Sequence, residues 1–159
     1  MKRKFRKENF DMKNENKVKA KIFGKKRLVE IYLVGDNDSE RLTKEEKKLL
    51  KWIRSVDFEL YKGKIVKYIN YLNDIIGEDK HDDYDLSDDE VFLPTAILIN
   101  VTDSMDEDTA EVALFAESDK YAIDEGIMIA FKDNEYFGIS GFNDCMNYFE
   151  DENFDEYNS

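Results

Sequence analysis

Hydrophobic and polar positions alternate most densely between Thr109 and Phe142, in TAEVALFAESDKYAIDEGIMIAFKDNEYFGISGF. Alternation with period two is the pattern of a β-strand with two unlike faces. Three strands are expected here, the first carrying Val112 and Leu114, the second Ile127, Ile129 and Phe131, the third Phe137 and Ile139. A two-residue turn at Asp133-Asn134 would set Phe131 opposite Tyr136 and send Phe137 to the other side. A three-residue loop, Asp133-Asn134-Glu135, instead pairs Phe131 with Phe137 and Ile129 with Ile139, which gathers all the large apolar residues on one face. The longer loop is therefore the expectation. The second face then carries Ala113, Phe115, Met128 and Tyr136, and is too apolar to be plainly solvated.

Earlier in the chain, Val18 to Ile22 alternates, Gly24-Lys25-Lys26 turns, and Arg27 to Val34 returns with Val29, Ile31 and Leu33 facing inward. Thr43-Lys44-Glu45-Glu46 is a capping box, in which the threonine and the second glutamate satisfy free N–H groups at a helix start. Leu49, Leu50 and Ile53 continue that helix to about Arg54. Asp57 can cap a second helix, whose stripe of Phe58, Tyr61, Ile65, Ile69, Leu72 and Ile76 follows helical spacing until Gly77. Gly63 is its weak point, costing about 1 kcal/mol relative to alanine. Residues 78–90, EDKHDDYDLSDDE, read as an acidic loop, after which Val91 to Pro94 leads into a strand over Thr95 to Val101 with Ile97, Ile99 and Val101 on one face.

The fold class expected from this order is α+β: an N-terminal β-hairpin, two helices, then a mostly antiparallel sheet of about four strands with the helices packed on one face. Residues 17–142 form the single domain, flanked by a mobile basic arm at 1–16 and an acidic-aromatic tail at 143–159.

Charge changes the picture more than composition does. The chain carries a net −13, but residues 1–30 hold +8, residues 31–76 hold +1 and residues 77–159 hold −22. Phosphates would be repelled by the acidic half, which argues against direct nucleic-acid binding there. A basic protein surface is the natural complement, and Asp82, Asp83, Asp85, Asp88 and Asp89 are the residues expected to meet it. Phe115, Met128 and Tyr136 on the second sheet face are candidates for the same contact, unless Met146, Tyr148 and Phe149 of the tail cover them.

Catalytic and metal chemistry find little support. Cys145 is the single cysteine, so no internal disulfide forms and a reducing, cytoplasmic compartment is expected. Asp144 and Glu150 near it oppose thiolate formation. An EF-hand loop begun at Asp83 would place Asp88 where glycine is needed and Pro94 where the bidentate glutamate belongs. No run approaches the roughly 18 apolar residues of a membrane span. The reading is of a non-enzyme without cofactor or metal.

The hairpin followed by TKEEKKLLKWI, with FAESDKYAIDEGIMIAF and a short hairpin beyond it, resembles small acidic bacterial α+β families of unknown function. Some of these are immunity proteins of polymorphic toxin systems. That resemblance, spanning roughly residues 17–142, implies an inhibitor that occludes a basic toxin or nuclease surface. The alternative is a housekeeping domain with a small-molecule or enzymatic role, whose acids serve only solubility.

Overall fold

The computed structural model describes residues 11–34, 42–100, 109–121, 123–142 and 158. Strands β1 (Asp11–Ile22) and β2 (Lys25–Val34) form the first hairpin. Helix α1 (Lys44–Arg54), a 3₁₀ turn (Phe58–Tyr61) and helix α2 (Lys62–Ile75) follow. The remaining strands are β3 (Leu93–Asn100), β4 (Val112–Ser118), β5 (Ile123–Lys132) and β6 (Glu135–Ser140).

The strands make one six-stranded sheet in the order β1-β2-β3-β4-β5-β6, antiparallel throughout except that β2 and β3 run parallel. The expected α+β order of hairpin, two helices and mostly antiparallel strands is present, and the sheet of about four strands is corrected to one mixed sheet of six that includes the hairpin. Parallel neighbours need a long crossover, and the two helices with the acidic segment supply it. Residues 11–16, expected to end a mobile arm, belong to β1, and residues 1–10 lie outside the described set. The β1–β2 turn falls at Phe23-Gly24, one residue earlier than expected, with both φ angles positive.

The helices lie on one sheet face, as the apolar stripes require. Leu50, Ile53, Phe58, Ile65, Tyr68 and Ile69 pack on Ile22, Val29, Ile31, Leu33, Ile97, Ile99, Val112, Leu114, Ile127, Ile129 and Ile139. Phe131 sits among four aromatic rings, Trp52, Tyr61, Phe58 and Tyr136, with centroids at 5.1, 5.3, 6.3 and 6.4 Å. All four approach at 69–79°, the edge-to-face arrangement that aromatic quadrupoles favour. The capping box forms: Thr43 N–H donates to Glu46 at 2.7 Å, and Glu46 N–H to the Thr43 hydroxyl at 3.2 Å. Asp57 caps the 3₁₀ turn instead of α2, so the second helix begins at Lys62, one residue before Gly63.

The β5–β6 connection corrects the expected register. Asp133 and Asn134 make a two-residue turn with φ of 52° and 62°, and Lys132 pairs with Glu135, Phe131 with Tyr136. The ladder then shifts by one residue, so that Ala130 meets Gly138 and Ile129 meets Ile139. Phe137 is the extra residue, a β-bulge that restores the Ile129–Ile139 pairing beyond it. Tyr136 consequently lies on the helix face, and Phe137 packs on the opposite one. That opposite face is buried too: Tyr32, Ala96, Leu98, Ala113, Phe115, Met128, Ala130 and Phe142 form a second core.

Candidate functional site

Geometry distinguishes the acidic segment 78–90 from the rest of the described surface. It starts where α2 ends, with Gly77 N–H bonded to the Asp74 carbonyl and Glu78 N–H to the Asn73 carbonyl at 2.8 Å. These two bonds satisfy the last turn of the helix and reverse the chain. The segment then returns along α2 and is fastened to it by asparagines. Asn70 grips the His81 backbone with both ends of its amide, Nδ2 donating to the carbonyl at 2.6 Å and Oδ1 accepting the N–H at 3.0 Å. Asn73 Nδ2 donates to the Asp79 carbonyl at 3.3 Å and to the Tyr84 hydroxyl at 3.2 Å. The Tyr84 hydroxyl in turn donates to Asn70 Oδ1.

Apolar anchors complete the attachment. Tyr84 and Leu86 are buried within the sequence read as a solvated loop, and Val91 and Phe92 follow them into the core. The Tyr84 ring meets Tyr121 edge-on at 4.9 Å and His81 at 5.5 Å. Burial pushes the Tyr84 phenol above its ordinary range, so it stays a neutral donor.

With its apolar residues inward, the segment turns its carboxylates outward. Asp82, Asp83, Asp85 and Asp89 are exposed, and Asp88 is half-buried. Asp83 Oδ1 accepts from Tyr84 N–H at 2.9 Å and from the Lys62 ammonium at 2.8 Å. Asp85 accepts from the Ser87 hydroxyl at 2.5 Å and its N–H at 3.1 Å. Asp88 accepts from Glu90 N–H at 3.0 Å. Asp89 pairs with Arg27 of β2, with Lys25 at 3.7 Å, and Arg27 also reaches the Ser87 carbonyl at 3.4 Å. Hydrogen bonds from Lys62, Ser87 and Arg27 hold Asp83, Asp85 and Asp89 respectively below the usual carboxylate range. All three are therefore ionised at neutral pH. Asp82 has no ion pair among the described residues.

Between the segment and α2 lies an open groove of about 520 Å³, lined by Lys62, Gly63, Val66, Lys67, Asn70, His81, Asp82 and Asp83. Two cations and two anions line it, so its formal charge balances. Among the described residues, no group of three or more His, Cys, Asp or Glu side chains could hold a metal ion. No described helix is long and apolar enough to cross a membrane.

The five aspartates expected to act together do share one ordered segment, whereas the three sheet residues do not join them. Phe115 and Met128 are 2 % and 0 % exposed, inside the second core, and present no surface. Tyr136 lies on the other face because the two-residue turn pairs it with Phe131, stacked on Tyr61 at 5.5 Å with Lys64 Nζ 5.3 Å from its ring centre. Cys145 and the remaining tail aromatics fall outside the described residues. Asn70, Asn73 and Tyr84, which position the segment, were missed in the sequence. Their signal was present: two asparagines three apart are poor helix formers, better used to bond neighbouring backbone. No family model, curated protein or solved structure matches the chain.

Proposed function

We propose that this chain is a non-enzymatic binding domain that presents residues 78–90 to a basic protein surface, as an immunity-type inhibitor covering a toxin or nuclease would. One observation carries the reading: exposed carboxylates stand on a segment already tied down by Asn70, Asn73, Tyr84 and Leu86. An acidic face fixed before encounter loses little conformational freedom on docking, so more of its interaction free energy is available for binding. The −22 of residues 77–159 adds long-range attraction that speeds encounter.

The test begins with partner capture from the native host, comparing the wild type with a variant in which Asp82, Asp83, Asp85, Asp88 and Asp89 become Asn or Ser. Stopped-flow association with the captured protein is then followed from low to high salt. Slower association and a flatter salt dependence in the variant are expected. Equal rates and slopes for the two proteins would remove this segment from the interface.

A second reading has the groove in its favour, since about 520 Å³ lies within the range of small-molecule sites. Ligand-induced thermal stabilisation that is abolished by Asn70→Ala, with no basic protein partner captured, would support it over the first.

A further inference from the structure

One face of the first hairpin carries a cluster of unpaired positive charge. Pairing of β2 with β3 begins at Glu30, so residues 18–22 and 25–29 form a two-stranded ribbon beyond it. Directly opposed residues share a face, and Val18, Ala20, Ile22 and Val29 pack toward the helices. Lys17, Lys19 and Lys21 therefore stand with Lys26 and Leu28 on the other face, all of them exposed and Leu28 at 61 %. Lys21 lies directly opposite Lys26, a like-charge pair that weakens a sheet. None of these lysines makes an ion pair among the described residues, although the chain holds 37 acids against 24 bases. Glu30, on the same face opposite Lys17, accepts from the Tyr32 hydroxyl. On the helix side of the ribbon, by contrast, Lys25 and Arg27 pair with Asp89. We propose that the lysine face, with Leu28 among its charges, docks on an anionic membrane surface.

Charge and shape together select this occupant. Lysines at every second position of β1 stand about 6.8 Å apart, a flat row of point charges suited to laterally mobile anionic headgroups. Their hydrocarbon stems let the ammonium groups reach those headgroups while Leu28 enters the interface. Nucleic acid fits this face less well. The face offers no arginine, asparagine or glutamine to read base edges, and its one aromatic ring between residues 17 and 32, Tyr32, is buried and closed to stacking. A nucleic-acid groove would also bring phosphates around to the helix side, where Asp89 stands. Against a planar membrane the aspartates of residues 78–90 face away, on the other side of the sheet. Packed layers stand about 10 Å apart, more than the screening length of about 8 Å at physiological salt, so their repulsion is weak. The docked molecule keeps residues 78–90 turned to solution, free for the basic partner proposed above.

The experiment sediments the full chain with vesicles of phosphatidylcholine alone or mixed with phosphatidylserine. The wild type should sediment with the mixed vesicles at low salt, be released as salt rises, and ignore the neutral ones. Each of Lys17→Gln, Lys19→Gln, Lys21→Gln and Lys26→Gln should lower partitioning about fivefold, because a lysine near an anionic surface contributes about 1 kcal/mol. Leu28→Ser should weaken binding and leave its salt dependence unchanged. A control removes the same charge from the helix layer, with the exposed Lys44, Lys47, Lys48 and Lys51 of α1 changed to Gln, and should bind as the wild type does. Circular dichroism checks the fold, and any one of the four single lysine variants suffices for the reading. No binding of the wild type to mixed vesicles at low salt, or an equal loss in the helix-layer control, would overturn the proposal. So would capture of DNA or RNA through these lysines with vesicles left unbound, which would assign the face to nucleic-acid phosphates. Self-association of the lysine variants, with no vesicle binding by the wild type, would leave the lysines as guards of the β1 edge.

Discussion

The hydroxyl of Tyr84 donates to Oδ1 of Asn70, the atom that also accepts the backbone N–H of His81. One side-chain oxygen on α2 thus holds two points of the acidic segment, and Asn73 Nδ2 closes the cluster on the Tyr84 hydroxyl at 3.2 Å. The segment is a docked part of the domain, with its carboxylates outward because its aromatic and aliphatic residues are occupied within.

Tyr84→Phe separates this hydrogen bonding from the packing of the ring. It leaves the apolar contacts with Tyr121 in place but takes an acceptor from Asn73, which is almost completely buried. A loss of about 1–2 kcal/mol in denaturant unfolding is expected, together with faster amide exchange across residues 79–86. Unchanged exchange there would mean that the hydroxyl does not hold the segment.

Burial on both faces of the sheet predicts similar costs for core truncations on either side. Ile129→Ala and Met128→Ala should each lose about 2–5 kcal/mol, since both side chains are fully buried on opposite faces. Phe131→Ala should lose about 3–5 kcal/mol and alter the emission of Trp52, whose ring centroid lies 5.1 Å away. Chemical denaturation followed by circular dichroism and tryptophan fluorescence measures both effects. A mild Met128→Ala would show that the second face is less tightly packed than its burial implies.

Two glycines should respond in opposite directions to alanine. A Cβ at Gly63 meets nothing within 4 Å, so Gly63→Ala should stabilise α2 by about 0.5–1 kcal/mol. At Gly126 the φ is +70°, and a Cβ would fall 2.6 Å from the Phe115 ring and 2.8 Å from the Ala116 carbonyl. Gly126→Ala should therefore cost about 2–5 kcal/mol through left-handed strain and forced repacking. Thermal melts of the two variants beside the wild type suffice to check the signs.

Acid should erode the attachment of the acidic segment. Asp83, Asp85 and Asp89 have folded-state pKa values lowered by Lys62, Ser87 and Arg27, so their ionised forms favour the folded state. That contribution is present above the unfolded carboxylate value of about 4 and is lost as pH falls through the folded values below it. Melting temperatures of the wild type and of the combined Asp83→Asn, Asp85→Asn and Asp89→Asn variant should differ at pH 7 and draw together as pH falls below the unfolded carboxylate value. A gap that does not narrow on acidification would assign the difference to packing. Full ionisation at neutral pH keeps the segment charged for the docking proposed above.

Local patterns settled much of this protein before any tertiary contact was considered. The alternation of Val29, Ile31 and Leu33, and of Ile127, Ile129 and Phe131, determined the strands and the face that meets the helices, because pleat geometry fixes side-chain direction from sequence spacing alone. The Thr43–Glu46 box and Gly77 marked helix ends for the same reason: the groups that satisfy them are near neighbours in the chain. The parallel pairing of Glu30 through Val34 with Ala96 through Asn100 was different, since it joins segments more than sixty residues apart and leaves no local trace. The Phe137 bulge was also hidden, because either turn length satisfied part of the apolar pattern and only packing against Phe131 and its aromatic ring of neighbours selects between them. In the acidic segment, the charge of each aspartate was legible residue by residue. Its attachment was not, because burying Tyr84 and Leu86 depends on α2, Tyr121 and β2 arriving together, and only the assembled tertiary structure brings them there.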